Sequence, residues 1–250
     1  MCSAVHGGPR CRSPGRDGYR ATRVSFGDRI LGGLDSLMSR QQERARRTRS
    51  VIIRAAAVEF AKRGYGAASI NSILEHSNAT KGAMYFHFAS KDELARAVLE
   101  EGLEHYRTIV SRWVDAPELD PFERLHGMIA DLGEALHNDD VIAAEFRLVT
   151  EPEFADEALL RGSYIWGRAG YQLAVEAQER GLFRPGVDIR RFVEAVGSSL
   201  AGQRYLADLT SPDTDVKSKF EACLEVPLEA MASEEWLARW WERGWPQTSD

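Results

Sequence analysis

Residues 69–88, SINSILEHSNATKGAMYFHF, constrain this chain more than any other stretch, because they predict two short helices joined by a tight turn. Ser69 is placed to cap the first helix, Asn78 interrupts the apolar pattern, and Thr80 is placed to cap the second helix. The second helix is too short to be stable alone in water. It must therefore pack against other elements that present it.

Helix-turn-helix modules use this geometry to lay a short helix in the DNA major groove. A helix start with free N–H groups can bind a phosphate, a lysine adds charge, and a glycine lets the backbone approach the DNA. Tyrosine and histidine add polar donors. The alternative is that a capped short helix with aromatic residues is simply hydrophobic core. The candidate DNA contacts are Ser69, Thr80, Lys81, Gly82, Tyr85 and His87.

The charge distribution favours the DNA-binding interpretation. The whole chain carries a formal charge of -6, but residues 38–91 carry +7 and residues 1–37 carry +3. The rest of the chain is correspondingly acidic. A basic segment joined to an acidic one is typical of a DNA-binding domain attached to a domain with another role. The alternative, a solvated charged surface, does not require this segregation.

Residues 41–63 predict the helix that precedes the two short ones, and Gly64 is placed to end it in a left-handed turn. Its basic first half supplies Arg46, Arg47 and Arg49 as candidate phosphate contacts. Positive charge at a helix start is unfavourable unless an anion is near, which points to a polyanionic partner. Together the three helices form a predicted DNA-binding domain.

Length and residue spacing exclude several other classes of protein. In 250 residues there is no apolar run long enough to cross a membrane, and the three cysteines lack paired or metal-ligand spacing, so we expect a cytoplasmic protein with no membrane contact. The histidines show no metal-ligand spacing, and no phosphate loop or nucleophile motif is present. We therefore expect no metal site, no cofactor, no catalytic residues and no enzyme activity.

The pattern predicts an all-α chain in three parts. Residues 1–37 are rich in Gly, Arg, Ser and Pro and are expected to be disordered, as a basic tail or as the product of a start codon assigned too far upstream. Residues 38–89 form the helix-turn-helix domain. Residues 90–250 form a larger helical domain. Its first helix, capped by a box of Ser90 and Glu93, would link the two domains. The other helices are predicted at residues 121–137, 139–151, 155–180, 188–209, 213–232 and 233–243.

The segments QQERARRTRSVIIRAAAVEFAKRGY and GYGAASINSILEHSNATKGAMYFHFASKDELARAVLE resemble the DNA-binding domain of the TetR family of bacterial repressors. More narrowly, TKGAMYFHF followed by SKDELA resembles the branch of γ-butyrolactone (autoregulator) receptors. The resemblance implies a homodimer that binds an inverted-repeat DNA operator, takes a small molecule into each larger domain, and controls secondary metabolism such as antibiotic biosynthesis. It also implies that helices 188–209 and 213–232 form the dimer interface.

The resemblance also implies candidate ligand contacts. Trp166 matches a tryptophan that lines the receptors' pocket, Tyr164 lies near it, and Gln203 matches a glutamine of a VGS-containing segment. Leu200 stands where the receptors often carry a hydroxyl residue. Each of these side chains would otherwise be interpreted as core or interface. Further candidates, chosen because they lie on apolar faces of neighbouring predicted helices, are Phe146, Val149 and Met128.

The class of ligand stays open between a γ-butyrolactone, a butenolide and a furan type. The alternative function is that of a pseudo-receptor or multidrug-responsive TetR-type repressor that binds an antibiotic or another hydrophobic compound.

Overall fold

The computed structural model describes residues 26–209 and 215–246, without the side chains of residues 26–39, 155–164 and 207–209. The chain divides into two compact units, Met1–Ala45 and Arg46–Asp250. Of the first unit, only the helical residues 26–45 are described. The candidate functional sites discussed below lie in the second unit.

The described residues form helices joined by short turns, with a single isolated bridge between Phe183 and Ala232. No helix among them is long and apolar enough to cross a membrane. The helices are α1 (Phe26–Ala67), α2 (Ile70–Ser77), α3 (Lys81–His87), α4 (Lys91–Val114), α5 (Pro121–Asn138), α6 (Asp140–Leu148), α7 (Ala155–Glu179), α8 (Ile189–Leu209), α9 (Val216–Met231) and α10 (Glu234–Arg243).

The beginning of α1 differs from the sequence-based expectation. Residues 26–37 are helical, whereas residues 1–37 were expected to be disordered. The physical reason is in the sequence, where Phe26, Ile30, Leu34 and Leu37 recur at a spacing that suits one side of a helix. Residues 1–25 lie outside the described residues.

Gly64 was expected to end this helix in a left-handed turn, but it instead kinks α1, which continues to Ala67; its φ of 76° and ψ of 172° are a conformation that favours glycine. A Cβ atom there would lie 3.2 Å from an oxygen of Glu151 and 3.3 Å from Nε of Arg147, so the glycine also allows a close approach of the chain after α6. The end of α1 is thus shaped by both backbone conformation and packing.

The helix caps follow the sequence closely. Ser69 accepts a hydrogen bond from the Ser72 N–H at 3.1 Å, and Thr80 accepts one from the Ala83 N–H at 3.1 Å. The cap of α4 differs in one detail from the predicted capping box. Ser90 accepts from the Glu93 N–H, but the Glu93 carboxylate accepts from the Ala89 N–H at 2.7 Å and not from Ser90.

Two hydrophobic cores hold the second unit together. The first joins α1, α2 and α3 to the beginning of α4, and it extends to α6 through Val141, Ala144 and Leu148. The second joins α4, α5, α7, α8, α9 and α10, with Phe122 at its centre in edge contact with Phe183 and Trp236. Helix α6 also contributes Ile142 to the second core, so a shift of α6 would change the packing of both cores.

The C-terminal tryptophans pack onto the larger core. Trp236 donates its indole N–H to Asp120 at 2.8 Å, and Trp245 donates to Glu225 at 3.0 Å. Trp240 stacks on Trp236, whereas Trp241 is exposed. Helix α10 therefore closes the end of the bundle near the start of α5.

Candidate DNA-binding face and ligand cavity

Helix α3 is anchored by its apolar residues and leaves its polar ones in solvent. Met84 and Phe88 are buried in the first core, whereas Lys81 and Gly82 are exposed. Asn78 precedes the helix in the left-handed conformation, with a φ of 52°, which turns the chain sharply between α2 and α3. The second short helix is thus packed on one side and presented on the other, as the sequence predicted.

The outer side of α3 carries two exposed aromatic rings. Tyr85 is 49% exposed and Phe86 is 80% exposed. The His87 ring is half-buried, in edge contact with Phe86 at a centroid distance of 5.0 Å. Sequence reasoning named Tyr85 and His87 but missed Phe86, although no other position of α3 is as exposed among the large hydrophobic residues described.

The basic side chains predicted on α1 lie on its surface. Arg46, Arg47 and Arg49 are exposed. The Arg49 guanidinium lies over the Phe88 ring at 5.0 Å from its centroid, so this arginine is positioned beside the C-terminal end of α3. The Ser69 and Thr80 hydroxyls are exposed but already serve as caps. Their helices therefore present backbone N–H groups beside these hydroxyls.

A lysine fixes the helix-turn-helix unit to α4. Lys91 donates to the backbone carbonyls of Tyr65 at 2.7 Å and Ala68 at 3.0 Å, and its ammonium group lies 4.2 Å from the centre of the Tyr65 ring. A cation that binds the last carbonyls of a helix stabilises that end. The first residue of α4 is thereby tied to the end of α1.

The larger core encloses a cavity of about 400 Å³ with mostly apolar walls. Helices α4, α5, α6, α7, α8 and α9 all contribute to its wall, a position and polarity that suit a small-molecule site. Glu194 and Ser198 are exposed, so they mark the side that reaches solvent. The other principal lining residues include Leu125, Ile129, Leu132, Phe192, Val196, Leu200 and Phe220.

Most of the predicted ligand contacts lie at this cavity. Trp166, Met128, Phe146 and Val149 line it, and Leu200 does so too. Gln203 is half-buried on α8 and is not among the described residues that line it. The side chain of Tyr164 lies outside the described residues.

Two lining residues that sequence reasoning missed form a polar pair in the apolar wall. The Tyr106 hydroxyl donates to the Glu145 carboxylate at 2.8 Å, and both side chains are buried. Burial raises the pKa of Glu145 to about 7, against the opposing effects of the Tyr106 hydrogen bond and of Arg204. Burial and the nearby Glu145 raise the pKa of Tyr106 well above its usual range.

A glycine allows the close packing of α4 on α6 at this pair. A Cβ atom on Gly102 would lie 2.6 Å from Cβ of Glu145, so only a residue without a side chain fits there. The sequence signal for Glu145 is its position among Val141, Ile142, Ala144 and Leu148, where it is the one acidic residue on the buried side of α6. An acid on an apolar helix face is unusual enough to mark a candidate site.

Helix α6 and the residues after it also touch the end of α1. Arg147 donates to the Ala61 carbonyl at 3.2 Å, and the Tyr65 N–H donates to the Glu151 carboxylate at 3.2 Å. Phe146 and Val149, their near neighbours in sequence, line the cavity. One short segment therefore connects the cavity wall with the helix-turn-helix unit.

Comparison with known proteins agrees with this arrangement. Residues 52–98 match the model of bacterial regulatory proteins of the tetR family. The chain is 30% identical over 177 residues to the HTH-type transcriptional repressor KstR2 of Mycobacterium tuberculosis, covering 65% of this chain and 76% of that protein. This chain belongs to the tetR family of bacterial regulatory proteins.

Two further relatives refine the comparison. The chain is 30% identical over 182 residues to the A-factor receptor protein of Streptomyces griseus, covering 72% of this chain and 62% of that receptor's length. A solved structure concerned with the control of antibiotic production by bacterial hormones superposes with a TM-score of 0.66 and 29% identity, covering 75% of this chain and 98% of that one. The predicted family and the all-α fold are confirmed, and these two similarities support the predicted receptor branch.

Proposed function

We propose that the protein is a transcriptional repressor that binds an inverted-repeat operator as a cytoplasmic homodimer and is released from DNA by a small hydrophobic ligand of the γ-butyrolactone type. The observation that carries this proposal is the dual position of the segment from Glu145 to Glu151. It lines the cavity through Phe146 and Val149 and hydrogen-bonds the end of α1 through Arg147 and Glu151.

The cavity supports the ligand side of the proposal. It is apolar, lies inside the larger core and has few polar groups to orient a ligand. The similarity to the A-factor receptor and to a structure concerned with bacterial hormones supports a signalling molecule of the producing organism as that ligand. Control of secondary metabolism is proposed on the same basis.

Exposed apolar residues support the dimer. Tyr205 and Leu206 on α8 and Val226 on α9 are each at least half exposed. Burying them against the same residues of a second copy would remove apolar surface from water, with a gain of about 25 cal/mol per Å². This fits the predicted use of these two helices for dimerisation.

Release follows from thermodynamic linkage. A ligand weakens DNA binding only if it binds better to a conformation in which the two helix-turn-helix units do not match the operator. In the proposed mechanism, ligand in the cavity displaces α6, and its hydrogen bonds with Ala61 and Tyr65 transmit the shift to α1. Helix α4, fixed to Tyr65 by Lys91, moves with it.

The test is a gel-shift assay with DNA upstream of the protein's own and neighbouring genes, titrated with a lipid extract of the producing organism's culture. We expect a complex that the extract dissociates. Trp166→Ala, in the cavity wall, should bind DNA normally but need at least tenfold more extract, whereas Trp241→Ala, an exposed tryptophan outside the cavity, should respond as the natural protein does. Equal responses of the two variants would contradict the cavity assignment. Release only by antibiotics would favour a multidrug-responsive or pseudo-receptor function.

A further inference from the structure

The charged side chains of the cavity wall are unusual because they share one sign. Among the described lining residues, the charged side chains are Glu145 and Glu194, and both are acidic. Glu194 is exposed on the side that reaches solvent, whereas Glu145 is 3% exposed. An anionic ligand would therefore pass one carboxylate and meet another in an apolar setting, where like charges repel strongly.

The geometry points to Glu145, oriented by Tyr106, as the residue that selects neutral hydroxyl-bearing ligands and rejects carboxylates. This inference rests on the proposed function and assigns the chemical class of its ligand. The Tyr106 hydroxyl donates to Oε2 of Glu145, which fixes the orientation of the carboxyl group. The carboxyl group keeps further hydrogen-bonding capacity, and a ligand hydroxyl can donate to it.

A positive charge on α8 also acts on Glu145. Arg204 on α8 lies with its guanidinium carbon 4.9 Å from the centre of the Phe146 ring, and its charge favours the ionised form of Glu145. This positive charge already offsets part of the carboxylate's field. Arg204 does not line the cavity among the described residues, whereas Glu145 does, so the carboxyl group is the charge that faces a ligand there.

The groups that face this pair from the packed helices are few. Tyr106 comes from α4 and Arg204 from α8, and Asp139, before α6, acts on Tyr106 and accepts a hydrogen bond from His105. The α5 side chains at the cavity are apolar. Since burial raises the pKa of Glu145 to about 7, the charge of this carboxyl group changes within the neutral range and its effect on ligand binding can be titrated.

The experiment uses three matched γ-butyrolactones with the same octyl chain and a hydroxymethyl, methyl or carboxylate substituent at the same carbon. Their affinities are measured by calorimetry with the full-length protein. We expect the hydroxymethyl compound to bind about fivefold more tightly than the methyl compound, the worth of one net hydrogen bond. At pH 8, where Glu145 is mostly ionised, the carboxylate compound should bind at least tenfold more weakly than the hydroxymethyl compound.

Substitution isolates the role of Glu145. At pH 8, Glu145→Gln should raise the affinity for the carboxylate compound at least tenfold, since it removes the charge and supplies an amide donor. Asp140→Asn, which removes an exposed acid from the same helix, should leave the order of affinities unchanged. Tight binding of the carboxylate by the natural protein, or no gain in the glutamine variant, would overturn the inference.

The pH dependence of the natural protein tests the same claim without a variant. The carboxylate compound requires protonated Glu145, so its affinity should fall about tenfold per pH unit above pH 7, relative to the hydroxymethyl compound. A constant ratio between pH 6 and pH 8 would overturn the inference. Failure of the proposed function is distinguishable, because it appears in the gel-shift assay as DNA that is not bound or not released, independently of the order of these affinities.

Discussion

The backbone N–H of Tyr65 donates a hydrogen bond to the Glu151 carboxylate across 3.2 Å, joining the end of α1 to the residues that follow α6. The same carboxylate lies against Gly64, whose φ of 76° permits the kink. Tyr65 is far in sequence from the residues that line the cavity, whereas Glu151 follows the lining residue Val149 by two positions. This hydrogen bond is therefore in the position to couple ligand binding to DNA binding.

Glu151→Ala should weaken this coupling while preserving both binding activities. Coupling free energies between sites are typically 1–3 kcal/mol, so loss of one connection should reduce the ligand's effect on DNA affinity by roughly threefold or more. Glu151→Gln keeps an acceptor for the Tyr65 N–H and should respond nearly as the natural protein does. The measurement is operator affinity with and without saturating ligand. Full release in the alanine variant would exclude this route.

Phe86→Ala should weaken operator binding although it removes no charge. The ring is 80% exposed on the outer side of α3, where an apolar contact with a thymine methyl group or the sugar backbone is available. We expect a loss of roughly 1–2 kcal/mol, about five- to thirtyfold in affinity, without a change in the salt dependence of binding. Fluorescence anisotropy with labelled operator measures both quantities.

The control for Phe86→Ala is Tyr171→Ala. Tyr171 is an exposed aromatic residue on α7, outside the helix-turn-helix unit. It should leave DNA affinity unchanged. Lys81→Ala should differ from Phe86→Ala, because a lost phosphate contact reduces the salt dependence by about one counterion. If both variants change the salt slope equally, the assigned difference between a base-edge contact and a phosphate contact is wrong.

The caps show why local structure was predictable. Ser69, Thr80 and Ser90 each accept a hydrogen bond from the backbone N–H three residues further along the chain, so a short stretch of sequence contains both partners of the contact. The boundaries of the later helices agree with their predicted positions within three residues. The start of α1 was missed because the paired glycines at 32 and 33 obscured a helical apolar pattern.

The polar pair in the cavity wall could not be predicted from local sequence patterns. Tyr106 and Glu145 are 39 residues apart, and their contact depends on the packing of α4 against α6, which periodicity does not specify. Trp166 was named through a resemblance and not through its spacing. Gln203 was named in the same way, but at its place on α8 it does not line the cavity among the described residues. A resemblance in sequence predicts where a residue lies along a helix more reliably than it predicts which way the side chain points.

Glu145→Gln should change how stability depends on pH. The pKa of this carboxyl group is about 7 in the folded protein and about 4.5 in the unfolded chain. Because the folded state binds the proton more tightly, the natural protein's free energy of unfolding should decrease between pH 4.5 and 7, by up to roughly 3 kcal/mol from this group. The variant lacks this decrease.

Urea unfolding of both proteins at several pH values measures the difference. The stability of Glu145→Gln relative to the natural protein should rise from pH 4.5 to about 7 and then stay constant. Asp140→Asn, on the exposed side of α6, should show no such rise over that interval. A constant difference for the glutamine variant would mean that Glu145 is ionised in the folded protein throughout the range.

His126 should change the pH dependence of stability in the opposite direction to Glu145. Its ring stacks on Trp245 at a centroid distance of 4.0 Å, and burial, assisted by Lys217, lowers its pKa to about 4. The Glu221 carboxylate, 3.6 Å from Nε2, does not outweigh these effects. Because the unfolded chain binds this proton more tightly, the contribution of His126 to stability is complete above pH 6.5 and is lost as the pH falls towards 4.

His126→Phe keeps an aromatic ring for Trp245 and removes the titration. At neutral pH the variant should be within about 1 kcal/mol of the natural protein, whereas near pH 4.5 it should be relatively more stable by roughly 2 kcal/mol. His137→Gln, an exposed histidine at the end of the same helix, serves as the matched control and should not reproduce this change. Thermal unfolding from pH 4.5 to 7.5 gives the comparison. If His126→Phe loses stability in parallel with the natural protein on acidification, the acid sensitivity of this end of the bundle arises from the carboxyl groups around Trp245 and not from the histidine.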